Sequence, residues 1–161
     1  MLWNAKNGCV KIDDTDMHYV SFGHGSKYLI VMPGLSDGLL TVKGKALLLA
    51  SSYIKYFNDY TVYMFSRKND MPEGYSIRDM AADQAKALRE LGITKTSVMG
   101  VSQGGMIAQF LAIDYPELVE KLIITVSAPR VNEMIHENVS SWIEMAKKGD
   151  HKSLMIDVAE K

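Results

Sequence analysis

The sequence predicts an α/β protein, a mostly parallel sheet with flanking helices, and three observations carry that reading. Strand-like and helix-like patterns alternate from Tyr28 to Val126. The run Tyr28-Leu-Ile-Val-Met32 is apolar throughout, as expected of a strand covered on both faces. Two short β-rich stretches precede it and form a leading antiparallel hairpin.

The elements follow in order. Residues 9–12 and 17–22 are the hairpin strands. Asp13, Asp14, Thr15 and Asp16 between them carry short polar side chains that bond their own backbone in turns. Gly23-His-Gly-Ser-Lys27 reads as a second hairpin turn; neither a third glycine nor a helix follows to make a dinucleotide loop. Strand 28–32 stops at Pro33-Gly34. A loop through Leu35, Ser36, Asp37 and Gly38 leads to a helical stretch around residues 45–56. Residues 61–65 form a strand and 67–74 a polar loop.

Ser76 is a good N-cap, and Asp79 stands three residues on, in the position of a capping box. Ile77, Met80, Ala81, Leu88 and Leu91 then share one helical face, and Gly92 ends the helix. Residues 96–101 are a strand, 104–115 a helix stopped by Pro116, and 122–126 (Leu122-Ile-Ile-Thr-Val126) a strand. Beyond Pro129 the pattern changes. Ile135, Val139, Trp142 and Ala146 mark one amphipathic helix, Gly149-Asp150 breaks it, and residues 153–160 start another. Two helices where a strand is due predict an insertion over the sheet. The expected division is therefore 1–130 for the sheet and its helices, and 131–161 for the insertion.

Composition narrows the function. A chain of 161 residues fits one domain. Its 18 Lys+Arg against 19 Asp+Glu offer no basic excess for nucleic acid or an anionic membrane. A hydrophobic fraction of 47% argues against disorder, and the longest apolar runs fall far short of the ~20 residues that span a bilayer. The amino terminus shows no secretory h-region. The single cysteine, Cys9, excludes an internal disulfide and a Cys-based zinc cluster. Cytoplasm is the expected compartment, with no metal or cofactor and a small-molecule substrate. The eleven methionines read as core filling.

The chemistry concentrates at Gly100-Val101-Ser102-Gln103-Gly104, followed by Gly105. The segment fits G-x-S-x-G, leaves an apolar strand and opens an apolar helix, the context of a nucleophile elbow. A serine on such a turn presents its hydroxyl at the C-terminal edge of the sheet. Gly100 and Gly104 lack side chains, which would otherwise strike the flanking strand and helix. Ser102 is the candidate nucleophile. The oxyanion formed on attack needs N–H donors. Gln103, directly after the serine, supplies one; Leu35, in the loop after strand 28–32, is the candidate for the other.

Together these segments resemble the α/β-hydrolase superfamily. The resemblance runs over about residues 9–130 in the family's order. It rests on the strand into Pro33-Gly34-Leu35, Ser76-Ile-Arg-Asp-Met-Ala-Ala-Asp83, Leu91-Gly92-Ile93, the elbow, and Asp114-Tyr-Pro-Glu117 leading into Leu122-Ile-Ile-Thr-Val126. Two departures stand out. Pro33 occupies a position where many members have histidine, and Phe-Ser-Arg67-Lys is only loosely like the family's Asp-x-Arg-Gly, so Arg67 receives no catalytic role.

The resemblance implies a serine hydrolase acting on an ester, thioester or amide through an acyl-enzyme. A dehalogenase would need aspartate at position 102. The helices beyond Pro129 resemble the start of a helical cap, and Ile135, Val139, Trp142 and Met145 suggest an apolar underside. The family's acid and histidine follow the serine, on loops after later strands. His136 and His151 fall on the expected cap and its break, and His18 and His24 precede the serine; none suits the role. Asp114, Asp150 and Asp157 read as a helix end, a turn and a solvated helix face. The resemblance implies about eight strands, of which six are found here, so the chain is expected to be incomplete and nearly inactive alone. Strand 122–126 is then expected to pair with a missing segment or another chain. The alternative is a non-catalytic binding protein on the same fold.

Overall fold

The computed structural model describes residues 2–35 and 41–160. They fall into two compact units, Met1–Ala128 and Pro129–Lys161.

The first unit is built on a six-stranded sheet: β1 (Lys6–Ile12), β2 (Thr15–Gly23), β3 (Lys27–Met32), β4 (Tyr60–Phe65), β5 (Thr96–Val101) and β6 (Val119–Thr125), in the order β1-β2-β4-β3-β5-β6. β1 with β2, and β2 with β4, run antiparallel; the β4–β3, β3–β5 and β5–β6 pairs are parallel. β6 lies beside β5, as expected from the alternation of elements. Its bounds differ from the expected strand: it starts at Val119 and ends at Thr125, and Val126 turns away with φ +47°.

One expectation needs correction. The turn at residues 23–27 does not make a hairpin, because β2 and β3 are not neighbours and β4 lies between them. The glycines there serve a close approach instead. A Cβ on Gly25 would collide with the Asp59 and Tyr60 backbone, and Gly23 turns at φ +89°.

Alternation along β3 shows why residues 29–32 must all be apolar. Ile30 and Met32 point into one core with Phe65, Val98, Leu88, Ile107 and Leu111. Leu29 and Val31 point into the other with Phe22, Val62, Phe57 and Ala46. The first core is closed by α2 (Ile77–Glu90) and α3 (Gln103–Asp114), the second by α1 (Ala46–Ala50) and the 3-10 turn Ser51–Tyr56. The expected helix over 45–56 is thus a short α-helix that tightens into 3-10 geometry. α2 carries both ends its sequence promises. Ser76 and Asp79 form a capping box. Gly92 at φ +69° lets Ile93 N–H reach Leu88 O (2.9 Å) and Gly92 N–H reach Arg89 O (2.9 Å).

The second unit is a helical hairpin of α4 (Glu133–Lys147) and α5 (His151–Glu160). Asn132 caps α4 by accepting from Ile135 N–H at 2.9 Å. Gly149 (φ +71°) closes it, and Asp150 accepts from Ser153 N–H at 3.1 Å to open α5. α5 therefore begins at His151 rather than Ser153, and His151 lies in its first turn. Asp157 is not a merely solvated residue: its Oδ2 accepts the Trp142 indole N–H at 2.7 Å. None of the described residues from 129 to 160 is buried. No helix among the described residues is long and apolar enough to cross a membrane.

Candidate active site

Register assembles the site. Met32 pairs with Gly100 across β3 and β5, and Val31 with Met64 across β3 and β4. Two residues beyond Met32 and Gly100, Gly34 and Ser102 come level with each other. Arg67, two past the end of β4, comes level with both. All three follow the C-terminal ends of parallel strands, the edge where open α/β sheets bind ligands.

Ser102 stands between β5 and α3 with φ +51° and ψ −122°, a conformation uncommon outside glycine. The positive φ is what a nucleophile elbow requires. Its N–H donates to Thr125 O at 3.0 Å. Its carbonyl accepts from Gly105 N–H (2.9 Å), Met106 N–H (3.3 Å) and the Ser127 hydroxyl (2.8 Å). The turn is held on both sides, so the strain of its φ is over-determined by its surroundings.

The glycines are there because there is no room for anything else. A Cβ on Gly100 would meet Gly105 Cα at 2.6 Å, and one on Gly104 would collide with the backbone of Met32. Gly105, given no role from sequence, is as tightly placed: its Cβ would lie 2.6 Å from Ser127 Oγ. Gly34 differs. A Cβ there would sit 3.4 Å from Ser102 Cβ and 3.8 Å from its Oγ, so this loop lines the space beside the hydroxyl.

Leu35 follows Gly34 and is 46% exposed. The next residues of that loop, Ser36, Asp37 and Gly38, lie outside the described residues. Gln103 opens α3, where helix N–H groups and the positive dipole end converge. Its side-chain Oε1 accepts from Arg67 Nη2 at 3.3 Å, and the same Nη2 donates to Pro33 O at 3.0 Å. The structure thus brings Ser102, Gln103 and the Pro33-Gly34 turn together. Arg67 was passed over in the sequence. The available signal is an arginine two residues past a β-rich strand, at the sheet's ligand edge.

The histidines of the first unit stand apart from Ser102. His24 follows Gly23, which pairs with Thr61 near the start of β4, so it lies at the opposite edge of the sheet. His18 is on β2, three strand spacings from β5, or about 14 Å at ~4.8 Å each. His136 and His151 belong to the second unit. Among the described residues, no group of three or more His, Cys, Asp or Glu side chains is placed to hold a metal ion.

Comparison with known proteins bears on the fold that carries these residues. A family described as alpha/beta hydrolase fold matches residues 56–154. Serine hydrolase BPHL of Homo sapiens is 29% identical over 149 residues, covering 86% of this chain and 51% of that protein. Epoxide hydrolase 1 of Caenorhabditis elegans is 27% identical over 146 residues, covering 90% of this chain and 35% of that protein. The chain therefore spans about half the length of the human relative and about a third of the nematode one. The crystal structure of MGS-M2, an alpha/beta hydrolase enzyme from a Medee basin deep-sea metagenome library, aligns with a TM-score of 0.79. That match has 16% identity over 93% of this chain and 55% of the other, and it bears on the fold alone. The family match covers more than half of the sequence and includes the Ser102 turn, and on that ground the chain belongs to the alpha/beta hydrolase fold family.

Proposed function

We propose that this chain carries the nucleophile of a serine hydrolase acting on an ester, thioester or amide, most simply a carboxylic ester. The observation that supports it best is Ser102 itself, held at φ +51° between a parallel strand and a helix at the sheet's C-terminal edge. Ser102 Oγ attacks the carbonyl carbon, and the carbonyl oxygen becomes an oxyanion facing the N–H groups of Gln103 and Leu35. The bond to the leaving group breaks, the leaving group departs with a proton, and water then releases the acyl group from Ser102. The same turn would need aspartate to form an alkyl-enzyme ester.

A base is required, and His18 and His24 are too far from Ser102 to supply it. The acid and histidine are proposed to come from outside these 161 residues. A further strand along β6 is part of the same reading, supported by Leu122, Ile123 and Ile124, which remain 38–41% exposed on β6. The α4–α5 hairpin is proposed as the start of a cap, and an apolar acyl or alcohol group as part of the substrate. The position of His18 and His24 favours one second reading, a binding protein on this fold without catalysis.

Fluorophosphonate labelling of the whole protein separates the two. The expected result is a single adduct mapped to Ser102 and lost in Ser102→Ala. A folded protein whose Ser102 takes no label supports the binding reading and overturns catalysis.

A further inference from the structure

Arg67 is an expensive residue for this position. It is 8% exposed, and among the described residues its Nε and Nη1 have no hydrogen-bond partner. No carboxylate among the described residues pairs with it. Burial pulls its proton affinity below the usual guanidinium range, which is the signature of a desolvated cation. A buried, unpaired charge costs several kcal/mol unless something offsets it.

What Arg67 holds is specific. Among the described residues its bonded nitrogen is Nη2, which reaches across the end of β3 and joins two segments next to Ser102. One is Pro33 O, which belongs to the peptide just before Gly34-Leu35. The other is the side chain of Gln103, directly after the serine. These are the two segments whose N–H groups face the oxyanion in the proposed mechanism. Neither is bonded to the other by any backbone hydrogen bond of the sheet, because β3 and β5 pair only as far as Met32 and Gly100.

We infer that Arg67 is a positioning residue that sets the relative orientation of the two oxyanion donors, Leu35 and Gln103, by pinning Pro33 O and Gln103 Oε1 to one guanidinium nitrogen. The inference rests on the hydrolase reading for its chemical consequence, but not for its structural one. Misplacing a reacting or stabilising group by about 1 Å can cost ~10²-fold in rate. The pin acts before substrate arrives, so it belongs to preorganisation and should move the rate of the chemical step rather than substrate affinity.

The test uses two variants and two readouts. Arg67→Met removes the pin and keeps most of the aliphatic stem. Arg67→Lys keeps the charge but offers a single point donor in place of the planar fork. The first readout is backbone hydrogen exchange at Leu35 and Gln103, with α2 as an internal reference for intact folding. The second is the fluorophosphonate labelling rate of Ser102 in the whole protein, together with kcat and KM on an activated ester. In Arg67→Met, exchange at Leu35 and Gln103 is expected to rise while α2 is unchanged, and labelling and kcat to fall ~10²-fold with KM little altered. Arg67→Lys is expected to fall between, at ~10-fold, a loss of the size of one hydrogen bond to a charged group. A folded Arg67→Met with unchanged exchange and unchanged labelling overturns the inference. Should Arg67→Met fail to fold, Arg67→Lys decides: wild-type exchange and wild-type labelling in that variant overturn it equally. If wild-type Ser102 takes no label but exchange at Leu35 and Gln103 rises in Arg67→Met, the hydrolase reading fails and the pin stands.

Discussion

Gly34 and Ser102 face each other at the end of β3 and β5, with room for one methyl group between them. A Cβ on Gly34 would make ordinary contacts, 3.4 Å to Ser102 Cβ and 3.8 Å to Oγ. Gly34 is not among the glycines with positive φ, so alanine is compatible with its backbone. Gly34→Ala is therefore expected to fold with stability within about 0.5 kcal/mol of wild type. The added methyl occupies space beside the nucleophile, so bulky acyl groups and phosphonates should react with Ser102 about 10-fold more slowly. That is the discrimination one methylene typically gives. Equal rates for small and bulky probes in Gly34→Ala would show that substrate approaches from elsewhere.

Gly104 gives the opposite outcome from the same substitution. Its Cβ would collide with Met32 O and lie 2.6 Å from Pro33 O, and both are backbone atoms at the buried C-terminal end of β3. Neither can rotate away as a side-chain tip can. Gly104→Ala should lose at least the ~1–3 kcal/mol typical of overpacking. Urea unfolding of Gly34→Ala and Gly104→Ala side by side measures the contrast. Similar midpoints would contradict the close approach of α3 to β3.

The contrast also shows what a sequence can and cannot disclose. The Gly-x-Ser-x-Gly turn was legible because its constraint is local: strand, tight turn and helix lie within a dozen residues. So were the apolar run of β3 and both ends of α2, since Ser76, Asp79 and Gly92 act within a few residues of themselves. Strand order was not legible at residues 23–27. Two strands joined by a glycine-rich turn usually pair, and only the placement of β4 between them, a long-range event, shows that here they do not. Gly25 is explained by Asp59 and Tyr60, more than thirty positions away. Arg67 was missed for the same reason, because its partners Pro33 and Gln103 each lie 34 to 36 positions distant. Asp157 became more than surface only when the α4–α5 turn brought Trp142 to it.

The cap of α2 should register in the pH dependence of stability. Asp79 Oδ2 accepts from Ser76 N–H at 2.9 Å and from the Ser76 hydroxyl at 2.6 Å, and Ser76 Oγ accepts from Asp79 N–H at 3.1 Å. The Ser76 hydroxyl, then the Ser76 N–H, hold the Asp79 carboxyl below its usual 3.8. A folded-state value below the unfolded one means the contribution is fully present above about 3.8 and is lost as pH falls through the folded value. The stability difference between wild type and Asp79→Ala should be constant from neutral pH down to about 4 and shrink at lower pH. Ser76→Ala should cost about 1 kcal/mol at neutral pH. A wild-type-to-Asp79→Ala difference that grows as pH falls would reverse the sign and remove the carboxylate from the cap.

Ser102 offers the most direct measure of stored strain. Its φ of +51° and ψ of −122° lie where a side chain crowds the backbone and glycine does not. Holding a non-glycine residue in such a region costs of order 1–3 kcal/mol. Ser102→Ala removes the hydroxyl and keeps the Cβ, so it keeps the strain. Ser102→Gly removes both. Elsewhere, alanine to glycine costs ~0.5–1 kcal/mol through the freedom of the unfolded chain. At this turn the released strain should offset that loss and reverse its sign, leaving Ser102→Gly more stable than Ser102→Ala by up to about 2 kcal/mol. The bonds holding the turn, from Ser102 N–H to Thr125 O and onto the Ser102 carbonyl, involve only Ser102 backbone atoms on its side and survive both substitutions. The comparison thus isolates the Cβ. Chemical denaturation of the two variants reads the difference directly. If Ser102→Gly is the weaker by the ordinary glycine penalty, position 102 stores no strain and its positive φ contributes nothing to presenting the hydroxyl.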